Sequence, residues 1–195
     1  MQMPSKTHHT AVAVLPPSEL WEPIQVIRRQ YDRHMHRWMP HINLLYPFFP
    51  AAHFSKVLPL LTTACAQVRA FEVTLTSFQF FMHASGAATL WLQPEPREAL
   101  DHLQATLRTV FPVCDDLSRF TNGFTPHLSV GQFRSRHTLQ PVLDSLQASW
   151  QPLRISLTAI ALLWRQAAEP FQVAHWVPLA PPTASSPPSM RGGVV

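Results

Sequence analysis

The chain carries one short pattern twice, and this duplication restricts the possible folds more than any other feature of the sequence. The segment PHINL at residues 40–44 is matched by PHLSV at residues 126–130, an offset of 86 residues. The apolar positions of residues 73–78 recur at residues 155–160, an offset of 82 residues. Two copies are too few for a solenoid. The repeat instead predicts two α+β lobes that are related by a pseudo-twofold axis and face each other across a cleft.

Hydrophobic periodicity and turn residues predict an α+β fold of antiparallel sheets that face a central cleft, with helices outside. Ser18 is the expected N-cap of the first helix. Residues 1–8 are expected to be disordered, residues 9–179 to form the two-lobed domain, and residues 180–195 to form a disordered Pro/Ser/Gly tail. The pattern predicts strands at residues 10–15, 40–48, 71–81, 89–93, 125–133, 153–164 and 171–179, and helices at residues 18–33, 53–68, 94–109 and 138–148.

Composition excludes several classes of protein. Apolar residues make up 46% of the chain and charged residues 13%, which is typical of a globular protein. The five glycines are not arranged as a phosphate-binding loop, so nucleotide chemistry on a backbone cradle is excluded. The longest apolar run, residues 159–164, is far too short to span a membrane. Cys65 and Cys114 fit no metal or redox spacing, so we expect a reduced, cytoplasmic protein, with the nucleus as the alternative location. We also expect a monomer.

The repeated motif places two polar side chains on one face of each strand. Because side chains alternate along a strand, His41 and Asn43 point one way, and His127 and Ser129 share a face in the second copy. A twofold axis would bring the two histidines to one site. One imidazole can then act as general base and the other as general acid, while Asn43 and Ser129 donate hydrogen bonds to phosphate oxygens. This arrangement predicts metal-independent phosphoryl transfer without a cofactor.

The two motifs, their spacing and the duplication resemble the 2H phosphoesterase superfamily, also called LigT-like or the 2′-5′ RNA ligase and cyclic phosphodiesterase family. The resemblance covers roughly residues 10–179. It implies a bilobal fold and action on RNA ends or nucleotides, with hydrolysis of 2′,3′-cyclic phosphates or 2′-5′ linkages. By motif match the catalytic pair is His41 and His127, and the phosphate-binding pair is Asn43 and Ser129. Asn43 departs from the hydroxyl residue that the family usually has.

Further residues beside the motifs are candidates for substrate binding. Tyr46, Phe48 and Phe133 could stack on bases, with Tyr46 and Phe48 expected on the face of His41 and Asn43, and Arg134 could hold a neighbouring phosphate. A metal site at the nearby histidines is not expected, since no carboxylate or cysteine completes it. Two alternatives to the enzyme remain: a module that binds RNA ends without turnover, and an interaction domain whose Pro-rich tail recruits partners.

Overall fold

The computed structural model describes residues 5–119 and 123–182, and these contain eight β-strands and four α-helices. In chain order these elements are β1 (Thr10–Val14), α1 (Trp21–Tyr31), β2 (Ile42–Leu45), α2 (Phe54–Cys65), β3 (Phe71–Met82), β4 (Ala88–Glu95), α3 (Arg97–Val110), β5 (Leu128–Phe133), α4 (Arg136–Ser149), β6 (Leu153–Leu157), β7 (Ala159–Trp164) and β8 (Gln172–Pro178).

The strands form two four-stranded antiparallel sheets with equivalent orders. The first sheet has the order β2-β1-β7-β8, and the second has the order β5-β4-β3-β6. Each sheet therefore begins with a motif strand at its edge, and its third strand comes from the other copy of the repeat. The predicted α+β fold with antiparallel sheets is confirmed, but the lobes exchange strands and are not the two halves of the sequence.

One apolar core lies between the sheets and the helices. It takes Val12 and Val14 from β1 and Leu90 and Leu92 from β4, together with the apolar faces of the helices. Alternate residues of the same strands point away from this core, and we call that side of each sheet its cleft face. On the first sheet the cleft face carries a separate apolar cluster that includes Ala13. This double burial explains why all five residues of β1 are buried.

The helices pack across the two lobes and hold them together. Helix α1 packs against β5 and helix α3 against β2, so each motif strand is backed by a helix of the other copy. At Gly131 the approach is so close that a Cβ atom would lie 2.7 Å from the Cβ of Tyr31 on α1. Glycine is therefore required where α1 crosses β5.

Three sequence predictions of local structure were wrong. The predicted strand at residues 153–164 is two strands, because the chain leaves the second sheet at Thr158 and enters the first. The first helix begins at Trp21 after a 3-10 turn, and in the described chain the Ser18 side chain does not cap it. It ends at Tyr31 because the backbone becomes extended at Asp32.

The ends of the chain are better ordered than expected where they are described. Thr7 and Phe48 exchange two backbone hydrogen bonds of 2.7 and 3.3 Å, and Lys6 forms an ion pair with Asp116. The N–H of Ala180 donates to the carbonyl of Val68 at 2.8 Å. The predicted disorder is therefore wrong at these positions, and for residues 1–4 and 183–195 it lies outside the described residues.

Among the helices of the described chain, none combines the length and the apolar character that crossing a membrane requires.

Candidate active site

Each repeated motif contains a β-bulge at the same position. Asn43 pairs with Ala13, but Leu45 pairs with Val12, so Leu44 is an extra residue in β2. In the second copy Ser129 pairs with Trp91 and Gly131 with Leu90, so Val130 is the extra residue in β5. A bulge reverses the alternation of side chains beyond it. The strand residues directly beyond each bulge, such as Leu45 and Phe133, therefore lie on the opposite face from the one that simple alternation gives.

The two histidines are held in the same way by the backbone just before each motif strand. His41 Nδ1 lies 2.8 Å from the carbonyl oxygen of Met39, and His127 Nδ1 lies 2.8 Å from that of Thr125. A carbonyl only accepts, so each Nδ1 carries the proton and donates it. The Nε2 atom of each neutral ring therefore carries a lone pair, and both rings are oriented by equivalent bonds.

Burial shifts both imidazoles toward the neutral form. Desolvation lowers the pKa of His41 to about 4, and although the bond to Met39 opposes this, positive charges on Arg28 and His127 add to it. Burial also lowers the pKa of His127, against the bond to Thr125. Both imidazoles that the repeat singled out thus have the same nitrogen bonded to the backbone and a disfavoured charged form.

The polar partners of the histidines lie on the same cleft faces. Asn43 Nδ2 donates to Nε2 of His41 at 3.2 Å, while Asn43 Oδ1 is buried and has no hydrogen-bond partner among the described residues. Ser129 is half-buried beside Trp91. A buried polar atom without a partner is costly, so Asn43 Oδ1 marks a position where the site can accept a further hydrogen bond.

Aromatic rings surround both imidazoles. Trp38 stacks on His41 with ring centres 4.2 Å apart, and Phe171 stacks on the other face of Trp38 at 3.6 Å. Phe81 and Trp91 meet the edge of His127 at 5.0 and 5.8 Å. These rings contribute to the burial that lowers both pKa values.

Sequence reasoning missed Phe81, Trp91 and Phe171. For Trp91 a signal was present. Its neighbours Leu90 and Leu92 belong to the core, so alternation places Trp91 on the cleft face with His127. Phe171 lies 133 residues after Trp38, and no local pattern indicates their contact.

The structure also places the two candidate residues that follow the first motif. Tyr46 does reach the cleft face, where it meets Trp38 edge-on at 5.4 Å. It does so because of the bulge, since strict alternation from His41 would turn an even-numbered residue away. Phe48 is wrong as a substrate-binding residue because it is fully buried in the core against Phe111.

Phe133 is also placed differently from expectation. Beyond the bulge at Val130, Phe133 pairs with Ala88 and packs on the core side, where it contacts Tyr31. Phe133 is therefore not available for base stacking in the cleft. Arg134 lies just after the end of β5 and is exposed, so its role in holding a neighbouring phosphate stays a prediction.

A buried ion pair supports the loop that carries Trp38. Arg28 Nε donates to Asp32 Oδ2 at 2.7 Å, and Arg28 Nη2 donates to the carbonyl of Trp38 at 2.8 Å. The two charged side chains are only 1% and 3% exposed. Because Trp38 stacks on His41, this pair fixes one wall of the site.

Within the part of the chain that the structure describes, no group of three histidine, cysteine or acidic side chains is arranged to hold a metal ion.

Comparison with known proteins gives concordant matches. The model of the 2′-5′ RNA ligase superfamily matches residues 16–169. A protein of Geobacillus kaustophilus (strain HTA426), provisionally named a phosphoesterase, is 25% identical over 122 residues, which cover 62% of this chain and 67% of that protein.

Solved structures show the same fold at low sequence identity. E. coli LigT in complex with 3′-AMP gives a TM-score of 0.57 at 18% identity, over 88% of this chain and 98% of LigT. The protein TT0787 of Thermus thermophilus gives a TM-score of 0.57 at 16% identity, over 87% and 97% of the two chains. The LigT-like architecture therefore covers most of the chain.

Proposed function

Because the chain belongs to the 2′-5′ RNA ligase superfamily, the 2H phosphoesterases, we propose that it is a phosphoesterase that opens 2′,3′-cyclic phosphates at RNA ends or on nucleotides. His41 and His127 are the general base and the general acid of this reaction. Asn43 and Ser129 bind the non-bridging oxygens of the phosphate.

The observation that carries the proposal is the matched anchoring of the two imidazoles. Each ring donates from Nδ1 to a carbonyl two residues earlier, which leaves Nε2 as the working atom. Equivalent Nε2 atoms on the two sides of a cleft suit in-line displacement at phosphorus, where one side receives a proton and the other side supplies one.

The pKa values favour one assignment of roles. A general base must be neutral, and the pKa of His41 is about 4. His41 Nε2 would remove a proton from water as the water oxygen bonds to phosphorus. The bond from phosphorus to one ribose oxygen breaks, and that oxygen takes the proton from Nε2 of His127. The product is a nucleoside monophosphate, and solvent returns both histidines to their starting states.

Relatives with the same fold support a nucleotide ligand. E. coli LigT has been crystallised with 3′-AMP and with phosphate. A nucleoside monophosphate such as 3′-AMP carries the groups that hydrolysis of a 2′,3′-cyclic phosphate produces. We therefore propose nucleotides and RNA ends as the binding partners of this chain.

The proposal is tested by incubating the protein, with EDTA present, with nucleoside 2′,3′-cyclic phosphates and with 2′-5′ and 3′-5′ oligonucleotides. We expect cleavage of the cyclic phosphates, since no step requires a metal ion. His41→Ala and His127→Ala should each lower kcat by at least about 10²-fold, the low end for loss of a general acid or base. The matched control is His102→Ala, which removes an exposed histidine on α3 and should leave turnover unchanged.

Two results would contradict the proposal. Turnover that is abolished by EDTA and restored by one divalent ion would replace the two-histidine mechanism. Binding of RNA ends with no turnover of any substrate would favour the non-catalytic module.

A further inference from the structure

A cavity of about 430 Å³ opens on the cleft face of the first sheet. This volume lies within the range of pockets that bind small molecules. Its walls include Leu15 just after β1, Met39 from the loop before β2, and two tryptophans, Trp21 and Trp176. The hydroxyl residues Ser18, Ser156 and Thr158 also line it. A largely apolar cavity with aromatic walls and a few hydroxyl groups has the character of a site for a flat heterocycle.

The cavity adjoins His41. Val14 pairs with Ile42, so continuing the register by one residue sets His41 opposite Leu15. Met39 connects the two places directly, because its carbonyl oxygen bonds His41 Nδ1 and the same residue lines the cavity. A ligand whose phosphate lies between the histidines therefore meets this cavity on the His41 side.

Trp176 forms the outer wall. In register across the first sheet, Asn43 pairs with Ala13, Ala13 with Ala161, and Ala161 with Trp176. These three strand spacings separate the backbones of Asn43 and Trp176 by roughly 14 Å. Trp176 is 55% exposed, which is unusual for the largest apolar side chain. An exposed tryptophan at this distance from a phosphate-binding residue can stack on a base.

The corresponding cavity on the second sheet has a different character. It measures about 750 Å³ and includes Gln93, which the register sets opposite His127. Its walls contain Glu95, Glu98 and Arg97, and none of the described residues that line it is aromatic. The two sides of the phosphate site therefore differ, and the aromatic surface lies on the His41 side.

We propose that the cavity between Met39 and Trp176 binds the nucleobase of the substrate, with the base stacked on the Trp176 indole. This inference rests on the proposed function, because it takes the phosphate between the two histidines as its starting point. It assigns to Trp176 a role in substrate affinity, and it predicts that the protein prefers a nucleotide over a phosphate that lacks a base.

The test measures binding, by calorimetry, of each of the four nucleoside 3′-monophosphates and of inorganic phosphate. We expect at least one nucleotide to bind more tightly than phosphate. Trp176→Ala should weaken the binding of that nucleotide at least about fivefold, the lower end for loss of one stacked base. The same variant should bind phosphate with unchanged affinity. Trp176→Phe should retain most of the affinity. The matched control is Leu60→Ala, which truncates another exposed apolar side chain (44% exposed) on α2. It should leave the affinities for nucleotide and phosphate unchanged.

Turnover provides a second readout. With a nucleoside 2′,3′-cyclic phosphate, Trp176→Ala should raise KM and leave kcat nearly unchanged, because the indole does not contact the reacting atoms. Thermal melting checks that the variant is folded.

The inference is overturned if no nucleotide binds more tightly than phosphate. It is also overturned if Trp176→Ala weakens the binding of nucleotide and phosphate equally, or weakens the binding of neither. Failure of the proposed function is distinguishable from these results. A protein that binds nucleotides through Trp176 but cleaves nothing retains the base site and loses only the assigned reaction.

Discussion

At the scale of single residues, the chemistry depends on which nitrogen of each imidazole the backbone leaves unbonded. The carbonyl oxygens of Met39 and Thr125 occupy both Nδ1 atoms, so Nε2 is the reactive atom on each side. Without a ligand, desolvation disfavours the charged form of both rings. An anionic phosphate between them would reverse this, because a negative charge stabilises the imidazolium form. Substrate binding and protonation of the acid are therefore coupled.

The pH dependence of kcat/KM follows from these shifts. The base must be neutral, so activity rises as pH climbs through the pKa of His41, about 4. The acid must be protonated, so activity falls as pH climbs through the pKa of His127, which lies below 6.5. We expect a bell-shaped profile of kcat/KM that belongs to the pair, with its optimum below pH 6.5, and a kcat profile displaced to higher pH by the bound phosphate. A kcat/KM optimum above about pH 7 would contradict the assignment.

Asn43 allows a second residue-level prediction. Its amide donates to His41 Nε2 in the unliganded site, and it can turn to a phosphate oxygen when substrate binds. Asn43→Ala should lower kcat on the order of 10²-fold, by analogy with the loss of an oxyanion donor. Asn43→Thr should recover only part of this loss, since its hydroxyl is closer to the strand. A Thr variant faster than the parent would instead indicate a site that has decayed from catalysis to binding.

At the scale of elements, helix α1 connects stability to the site. Its inner face carries Arg28, whose pair with Asp32 holds the loop of Trp38, and its end packs on β5 at Gly131. One helix thus contacts the histidine loop of the first copy and the motif strand of the second. A substitution on the inner face of α1 is therefore expected to disturb the positions of both histidines.

Arg28→Met tests this helix. It leaves the Asp32 carboxylate buried and unpaired, which typically costs about 3 to 5 kcal/mol of unfolding free energy. Urea unfolding measures the loss, and the double variant Arg28→Met/Asp32→Leu should recover much of it. The control is Arg29→Met on the same helix, whose partner Glu22 is exposed, and no measurable change is expected there. Equal effects of the two arginine changes would show that the buried pair has no special role.

At the scale of the whole molecule, strand exchange makes the two lobes interdependent. Strand β7 of the second copy pairs with β1, and β3 of the first copy pairs with β4. Neither copy can complete its sheet alone. The C-terminal segment is also fixed to the domain, because Ala180 forms backbone hydrogen bonds with Val68 and Ala70 just before β3.

Truncation of the C-terminus tests how much the hydrogen bonds of Ala180 contribute to stability. Removal of residues 183–195 should leave Tm unchanged, since their sequence has no apolar periodicity to bury. Removal of residues 180–195 deletes two backbone hydrogen bonds, worth about 1 kcal/mol each, and should lower Tm by about 4 to 8 °C. Differential scanning calorimetry of the two truncations distinguishes them. A large loss from the shorter deletion would show that residues 183–195 dock on the domain.

Local alternation and a repeat that is visible in the chain were enough to predict the duplication, the α+β class and the faces of His41, Asn43, His127 and Ser129. Three other features are determined only by the tertiary structure: which sheet each strand joins, where the bulges at Leu44 and Val130 reverse the alternation, and which rings contact the histidines. A bulge exists only relative to a partner strand, and strand partners here come from distant parts of the chain. The pKa values of the two histidines also depend on the tertiary structure, because the neighbours that desolvate them, such as Trp38 and Trp91, approach only when the chain has folded.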